Sequence, residues 1–110
     1  MTVRNRGTAL TRAEIELVET LSARWTIHIL LVLHTSDAPW RFGEIQEAVS
    51  GISNRVLSGR LAGLESSDLV SRNVTATRPV SIAYRLTAQG RRVAGALACL
   101  REVAQSSLDS

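Results

Sequence analysis

The chain has 110 residues, 45% of them apolar, and a formal net charge of +3, which suits a single domain around one modest core. Cys99 is the only cysteine, so an internal disulfide and the cysteine-rich metal frameworks are excluded. The longest apolar run, Trp25 to Leu33, is broken by Thr26 and His28 and is about half the length of a membrane span, and residues 1–10 lack a signal peptide's apolar core; a soluble, cytoplasmic domain with no membrane contact is expected.

Thr11 followed by Glu14 forms a capping box, and Ile15, Val18 and Leu21 make one apolar stripe with Glu16 and Glu19 turned away. The spacing predicts a first amphipathic helix over about 11–21. Ser22 is a candidate cap for a second helix reaching about His34, apolar nearly all round as a central buried helix would be. Asp37, Ala38 and Pro39 break it. Phe42, Ile45 and Val49 recur at helical spacing in a short third helix that ends before Ser50 and Gly51.

The next stretch, GISNRVLSGRLAGLE over 51–65, is internally opposed. Leu57, Leu61 and Leu64 recur on one face and Ser53 is a fit N-cap, yet Gly59 and Gly63 each cost a helix about 1 kcal/mol relative to alanine. The opposite face holds Arg55, Ser58, Gly59 and Ala62, neither strongly charged nor apolar. After Asp68 the period turns to alternation: Val70, Arg72 and Val74, then Ile82, Tyr84 and Leu86, joined by a Thr75–Ser81 connection carrying Arg78 and Pro79. This is a β-hairpin with a projecting tip. Thr87 opens a last helix whose stripe, Val93, Leu97, Leu100 and Ala104, has the 4-3-4 spacing of a helix that packs along another.

The charge is unevenly placed. All thirteen basic residues are arginine; residues 55–92 hold seven against Glu65 and Asp68, a net +5, whereas residues 1–54 hold five against six acids, a net −1. Such an imbalance suggests an anionic partner for the second half, and arginine suits bidentate contacts to phosphate or guanine. The alternative is a solvated surface. No phosphate loop, metal-ligand pair or nucleophile with a base at recognisable spacing is present, so no enzyme, cofactor or metal is expected. His28 and His34 lie six apart, which is not the spacing of two ligands on one helix face.

A short helix joined by a Ser-Gly turn to a longer one, followed at once by a hairpin, is the plan of a winged helix-turn-helix, mainly α with a small β-hairpin wing. The runs RWTIHILLVL, RFGEIQEAVSGISNRVLSGRLAGLESSDLVSR and AYRLTAQGR together resemble the HxlR-type winged-helix transcriptional regulators of bacteria, over about residues 12–100. The matching pieces are Trp25 at a helix start, Arg41-Phe42 with Glu44 and Ile45, Gly51-Ile52-Ser53 before Leu57 and Arg60-Leu61, and Tyr84 before Leu86-Thr87 and Gly90; the spacing from Arg72 to Tyr84 equals the usual wing length.

The resemblance implies that the helix after Gly51-Ile52-Ser53 enters the major groove of double-stranded DNA, the hairpin is the wing, and the first and last helices form a homodimer. It places Ser53, Asn54, Arg55 and Ser58 at the groove, with Arg55 suited to a guanine edge and Asn54 to an adenine. Arg78, with Arg72 or Arg60, would hold the backbone. Arg60 is equally suited to an ion pair, for instance with Glu44. The implied dimer residues are Ile15, Val18, Val93, Leu97, Leu100 and Ala104.

Two departures stand out. Members of the resembled family often carry a cysteine about thirteen residues before the tryptophan, in some a thiol sensor, where this chain has Arg12, so thiol sensing at that position is excluded. In the wing, a tyrosine and two prolines followed by arginine are replaced by Thr75, Pro79 with Val80, and Ser81. Trp25, Trp40 and Tyr84 read as packing residues, and Cys99 as a small buried hydrophobe in preference to an oxidisable thiol at the dimer interface.

The expected organisation is a flexible arm over 1–10, a DNA-binding and dimerisation domain over 11–105 and a flexible tail over 106–110. The expected function is a sequence-specific regulator, more a repressor than an activator, dimeric on a pseudo-palindromic site. The sequence leaves open whether a small-molecule effector acts near the dimer interface. The alternative from another class is a winged-helix module that binds an acidic protein in place of DNA.

Overall fold

The computed structural model describes residues 9–76 and 78–109, so of the expected arm only Ala9 and Leu10 fall within it. The chain folds as α1 (Arg12–Ser22), α2 (Thr26–His34), α3 (Phe42–Val49), α4 (Asn54–Ser66), β1 (Val70–Thr75), β2 (Ser81–Leu86), α5 (Ala88–Leu97) and α6 (Cys99–Asp109). Among the described residues no helix is long and apolar enough to cross a membrane.

The capping box expected at the start of α1 is present: Thr11 N donates to Glu14 Oε1 at 3.0 Å and Glu14 N to Thr11 Oγ1 at 3.1 Å. Ser22 does not cap α2 as expected. It ends α1, where its hydroxyl donates to the Val18 carbonyl at 2.7 Å, the i−4 back-bond that competes with capping for a serine. The chain instead turns through Trp25 at φ 77° before α2 begins.

The core gathers around α2, as its all-round apolar surface predicts. Ile29, Leu30 and Leu33 are buried together with Ile45 of α3, Leu57, Leu61 and Leu64 of α4, and Tyr84 and Leu86 of β2. Burying three leucines contributes roughly 5–9 kcal/mol, against about 2 kcal/mol lost to Gly59 and Gly63, so tertiary packing decides that α4 is a helix. The strands pair antiparallel with Val70 opposite Leu86, Arg72 opposite Tyr84 and Val74 opposite Ile82. The inner face is buried at the base and opens toward the tip, where Val74 is exposed. Trp40 adds a bridge to this sheet, its N–H donating to the Tyr84 carbonyl at 2.8 Å and its carbonyl accepting from Tyr84 N at 2.7 Å; it also packs partly buried against the core.

The last helix departs from expectation. It is two helices, because α5 closes at Ala98, whose N–H reaches the Ala94 carbonyl at 2.9 Å, and α6 starts afresh at Cys99. The break divides the 4-3-4 stripe: Val93 and Leu97 pack partly buried against the core, while Leu100 and Ala104 are exposed. Cys99 is exposed and not buried as expected. Helix α6 runs to Asp109, past the boundary expected at 105, and its main contact within the chain is α5.

Gly90 is demanded by close approach. A Cβ there would lie 1.9 Å from the Leu69 carbonyl oxygen, where α5 passes the start of the hairpin; Thr87 N also donates to that carbonyl, at 3.1 Å. At Gly59 and Gly63 an added Cβ meets nothing within 4 Å. Gly90→Ala should therefore destabilise the fold by about 3 kcal/mol through overpacking, whereas Gly63→Ala should stabilise it by about 0.5–1 kcal/mol through helix propensity. Urea denaturation of the two variants checks the opposite signs.

Candidate nucleic-acid interface

The helix-turn-helix is built from α3, the segment 50–53 and α4. Ser50 at φ 59° and Gly51 at φ 95° reverse the chain, and a Cβ at 51 would sit 3.7 Å from Trp25 Cη2, so the Trp25 ring borders this turn. Ser53 caps α4 as expected, its hydroxyl accepting from Val56 N at 3.1 Å. Gln46 of α3, to which the sequence pattern gave no role, holds the two helices in register. Its Nε2 donates to the Ile52 carbonyl at 3.2 Å and to Asn54 Oδ1.

The outward surface of α4 divides in two. With Leu57 at zero on a wheel of about 100° per residue, Asn54, Ser58, Ala62 and Arg55 occupy one flank and Gly59, Gly63, Ser67 and Arg60 the other. Asn54, Arg55, Ser58 and Ala62 are all exposed. Arg55 and Ser58 have no side-chain hydrogen-bond or ion-pair partner among the described residues, so both are free to meet a ligand. Asn54 has already given one acceptor position to Gln46; its amide N–H groups remain available as donors.

The second flank faces α1. Gly59, Arg60 and Gly63 line a groove with Glu19, Thr20 and Ala23; Gly59, exposed and about 40° from Arg55 on the wheel, lies where the two flanks meet. Arg60 is half-buried, and its Nε donates to the Arg24 carbonyl at 2.7 Å, tying α4 to the link between α1 and α2. It does not pair with Glu44, which instead accepts from Arg41 N at 2.9 Å at the start of α3. A backbone carbonyl was invisible to a sequence search for acidic partners. On the hairpin, Arg72 is exposed opposite Tyr84 and Arg78 is exposed in the connection between the strands.

A helix-turn-helix around a central helix, a second helix with one polar flank open to solvent, and a two-stranded wing directly after it define a winged helix-turn-helix DNA-binding protein. The chain belongs to the HxlR-like helix-turn-helix family, whose profile matches residues 20–110. It is 38% identical over 92 residues to the HTH-type transcriptional regulator YvaP of Bacillus subtilis, covering 84% of this chain and 83% of that one. It is 40% identical over 73 residues to YodB of the same organism, covering 64% and 61%. Among solved structures, reduced YodB superposes with a TM-score of 0.69 at 33% identity, covering 92% and 93% of the two chains. A possible HxlR family transcriptional factor from Thermoplasma volcanium gives 0.75 at 29% identity, covering 91% and 86%. The chain is thus a DNA-binding transcriptional regulator of winged-helix form.

Because Gln46 makes both side-chain ties across the turn, Gln46→Ala should lower stability by about 1–2 kcal/mol. It should also speed amide hydrogen exchange over residues 51–54 more than in the core of α2, measured by exchange with mass spectrometry or NMR.

Proposed function

We propose that this regulator is a cytoplasmic homodimer that represses transcription by setting one α4 in the major groove at each half of a pseudo-palindromic operator. The observation that supports this most is the flank of α4 that carries Arg55 and Ser58 exposed and unpartnered, next to Ser53 and Asn54 at the helix start. Arg55 reads a guanine edge, and Ser58 and the Asn54 amide donate to neighbouring bases. Arg78 and Arg72 of the wing hold phosphates. In this reading Arg60, whose Nε is bonded to the Arg24 carbonyl, supports α4, and the backbone contacts fall to the wing.

The dimer reading draws on α6. An eleven-residue helix is marginal alone in water, yet α6 carries Leu100, Val103 and Leu108 at 50%, 63% and 78% exposure. On α1, Ile15 and Val18 are exposed as well. Pairing these faces between two copies removes them from water, with Ala104 allowing close approach. Val93 and Leu97 contribute by supporting α6 from the core side.

Fluorescence anisotropy with a duplex from the gene's own upstream region and a scrambled duplex, across a salt series, tests the DNA reading. Specific binding should fall steeply with salt, and Arg55→Ala should cost about 1–3 kcal/mol and relax specificity at one position per half-site. Arg78→Ala should weaken both duplexes alike. Equal, weak binding to both duplexes at every salt concentration contradicts the reading. For the dimer, Val103→Asp should convert the sedimenting species to a monomer, and an unchanged dimer mass rules out the α6 face.

A further inference from the structure

The groove between α1 and α4 holds features that neither the core nor the DNA-facing flank requires. It encloses about 220 Å³, lined chiefly by Glu19, Thr20, Thr26, Gly59, Arg60 and Gly63. Thr26 is only 2% exposed, the one buried polar residue among those described, and its hydroxyl has no hydrogen-bond partner among them. A buried hydroxyl left unpaired is costly, so Thr26 offers a donor to whatever occupies the groove, water or ligand. The glycines add a second indication. Nothing within 4 Å would meet a Cβ at 59 or 63, so no contact in this chain demands them, and what their missing side chains leave is the width of the groove.

We propose that this groove binds a small, uncharged, planar molecule carrying a carbonyl together with an N–H or O–H donor, and that its occupancy changes the DNA affinity of α4. The free amino groups of the Arg60 guanidinium and the Thr26 hydroxyl donate to the carbonyl, and the Glu19 carboxylate accepts from the donor. Gly59 and Gly63 offer flat backbone against which a ring lies. Arginine and glutamate in one groove balance in charge, which favours a neutral ligand over an ion. The volume is below the roughly 300–1,000 Å³ of sites for drug-sized molecules, so the ligand is about one ring in size. Coupling runs through Arg60, whose Nε also holds the Arg24 carbonyl and so fixes α4 on the α1–α2 link. A molecule engaging that guanidinium acts on the tether that sets the helix's position. This regulatory half rests on α4 being the DNA-reading helix.

Benzamide, which has the carbonyl and the donor, and benzoate, which lacks the donor and is charged, are the probes. Titrating each into the full chain without DNA, and following amide shifts by NMR, should give saturable benzamide shifts grouped at residues 19–26 and 59–67, with benzoate about tenfold weaker or more. Thr26→Val and Gly63→Leu should each reduce benzamide affinity by about tenfold, a difference of about 1.4 kcal/mol. Gly63→Leu has room for its Cβ and gains helix propensity, so it tests the site even if Thr26→Val does not fold. Absence of saturation, shifts grouped elsewhere, equal affinity for benzoate, or unchanged benzamide affinity in Gly63→Leu overturns the site. Saturating benzamide should also change the affinity for the upstream duplex by about fivefold or more, and an unchanged value overturns the regulatory half. Since the titration contains no DNA, failure of the groove and failure of DNA binding are read separately.

Discussion

Seating Leu57, Leu61 and Leu64 of α4 in the core is the constraint on which the rest of the molecule depends. It fixes the rotation of the helix about its own axis, and with that rotation set, every other position on α4 has its direction decided. Asn54, Arg55, Ser58 and Ala62 point to solvent, Arg60 and Gly63 border the groove beside α1, and Gly59 lies exposed between the two flanks. A slip of one residue would move each side chain by about 100° and put Arg60 where Leu61 is buried. The sequence of α4 is weakly helical by propensity, so its place in the molecule is set by burial and by the ties at its ends.

Those ties act at different points. Gln46 secures the turn before α4, Ser53 caps its first turn, and Arg60 fastens its middle to the Arg24 carbonyl. The α1–α2 link is consequently part of the support of α4, although it lies far from it in sequence. Trp25 takes part from the same link, with its ring at the Gly51 turn. Helix α1 thus has two neighbours to serve: one flank borders the groove beside α4, and its exposed Ile15 and Val18 are available to a second copy.

Much of this was legible beforehand because it follows from periodicity. The leucine spacing, the change from a 3.6-residue to a 2-residue period after Asp68, and the caps at Thr11, Ser53 and Thr87 depend on local residues alone. What escaped the sequence depends on backbone atoms and on space. The sequence suits Arg60 equally to a phosphate or to Glu44, but its partner in the fold is a carbonyl, which every residue carries. Ser22 has the chemistry of a cap and spends it inside its own helix. The 4-3-4 stripe from Val93 to Ala104 crosses a break at Ala98 that no proline or glycine marks. The leucine spacing places Gly59 with Arg55, Ser58 and Ala62, and only the three-dimensional arrangement shows that Gly59 also borders a groove beside α1.

The most direct test of the account is a residue-resolved map of α4 on DNA. In an NMR titration with the upstream duplex, the amides of Asn54, Arg55, Ser58 and Ala62 should shift strongly and broaden, while those of Gly63 and Ser67 change little. Equal or larger shifts at Gly63 and Ser67 would contradict the rotation of α4 that the buried leucines impose.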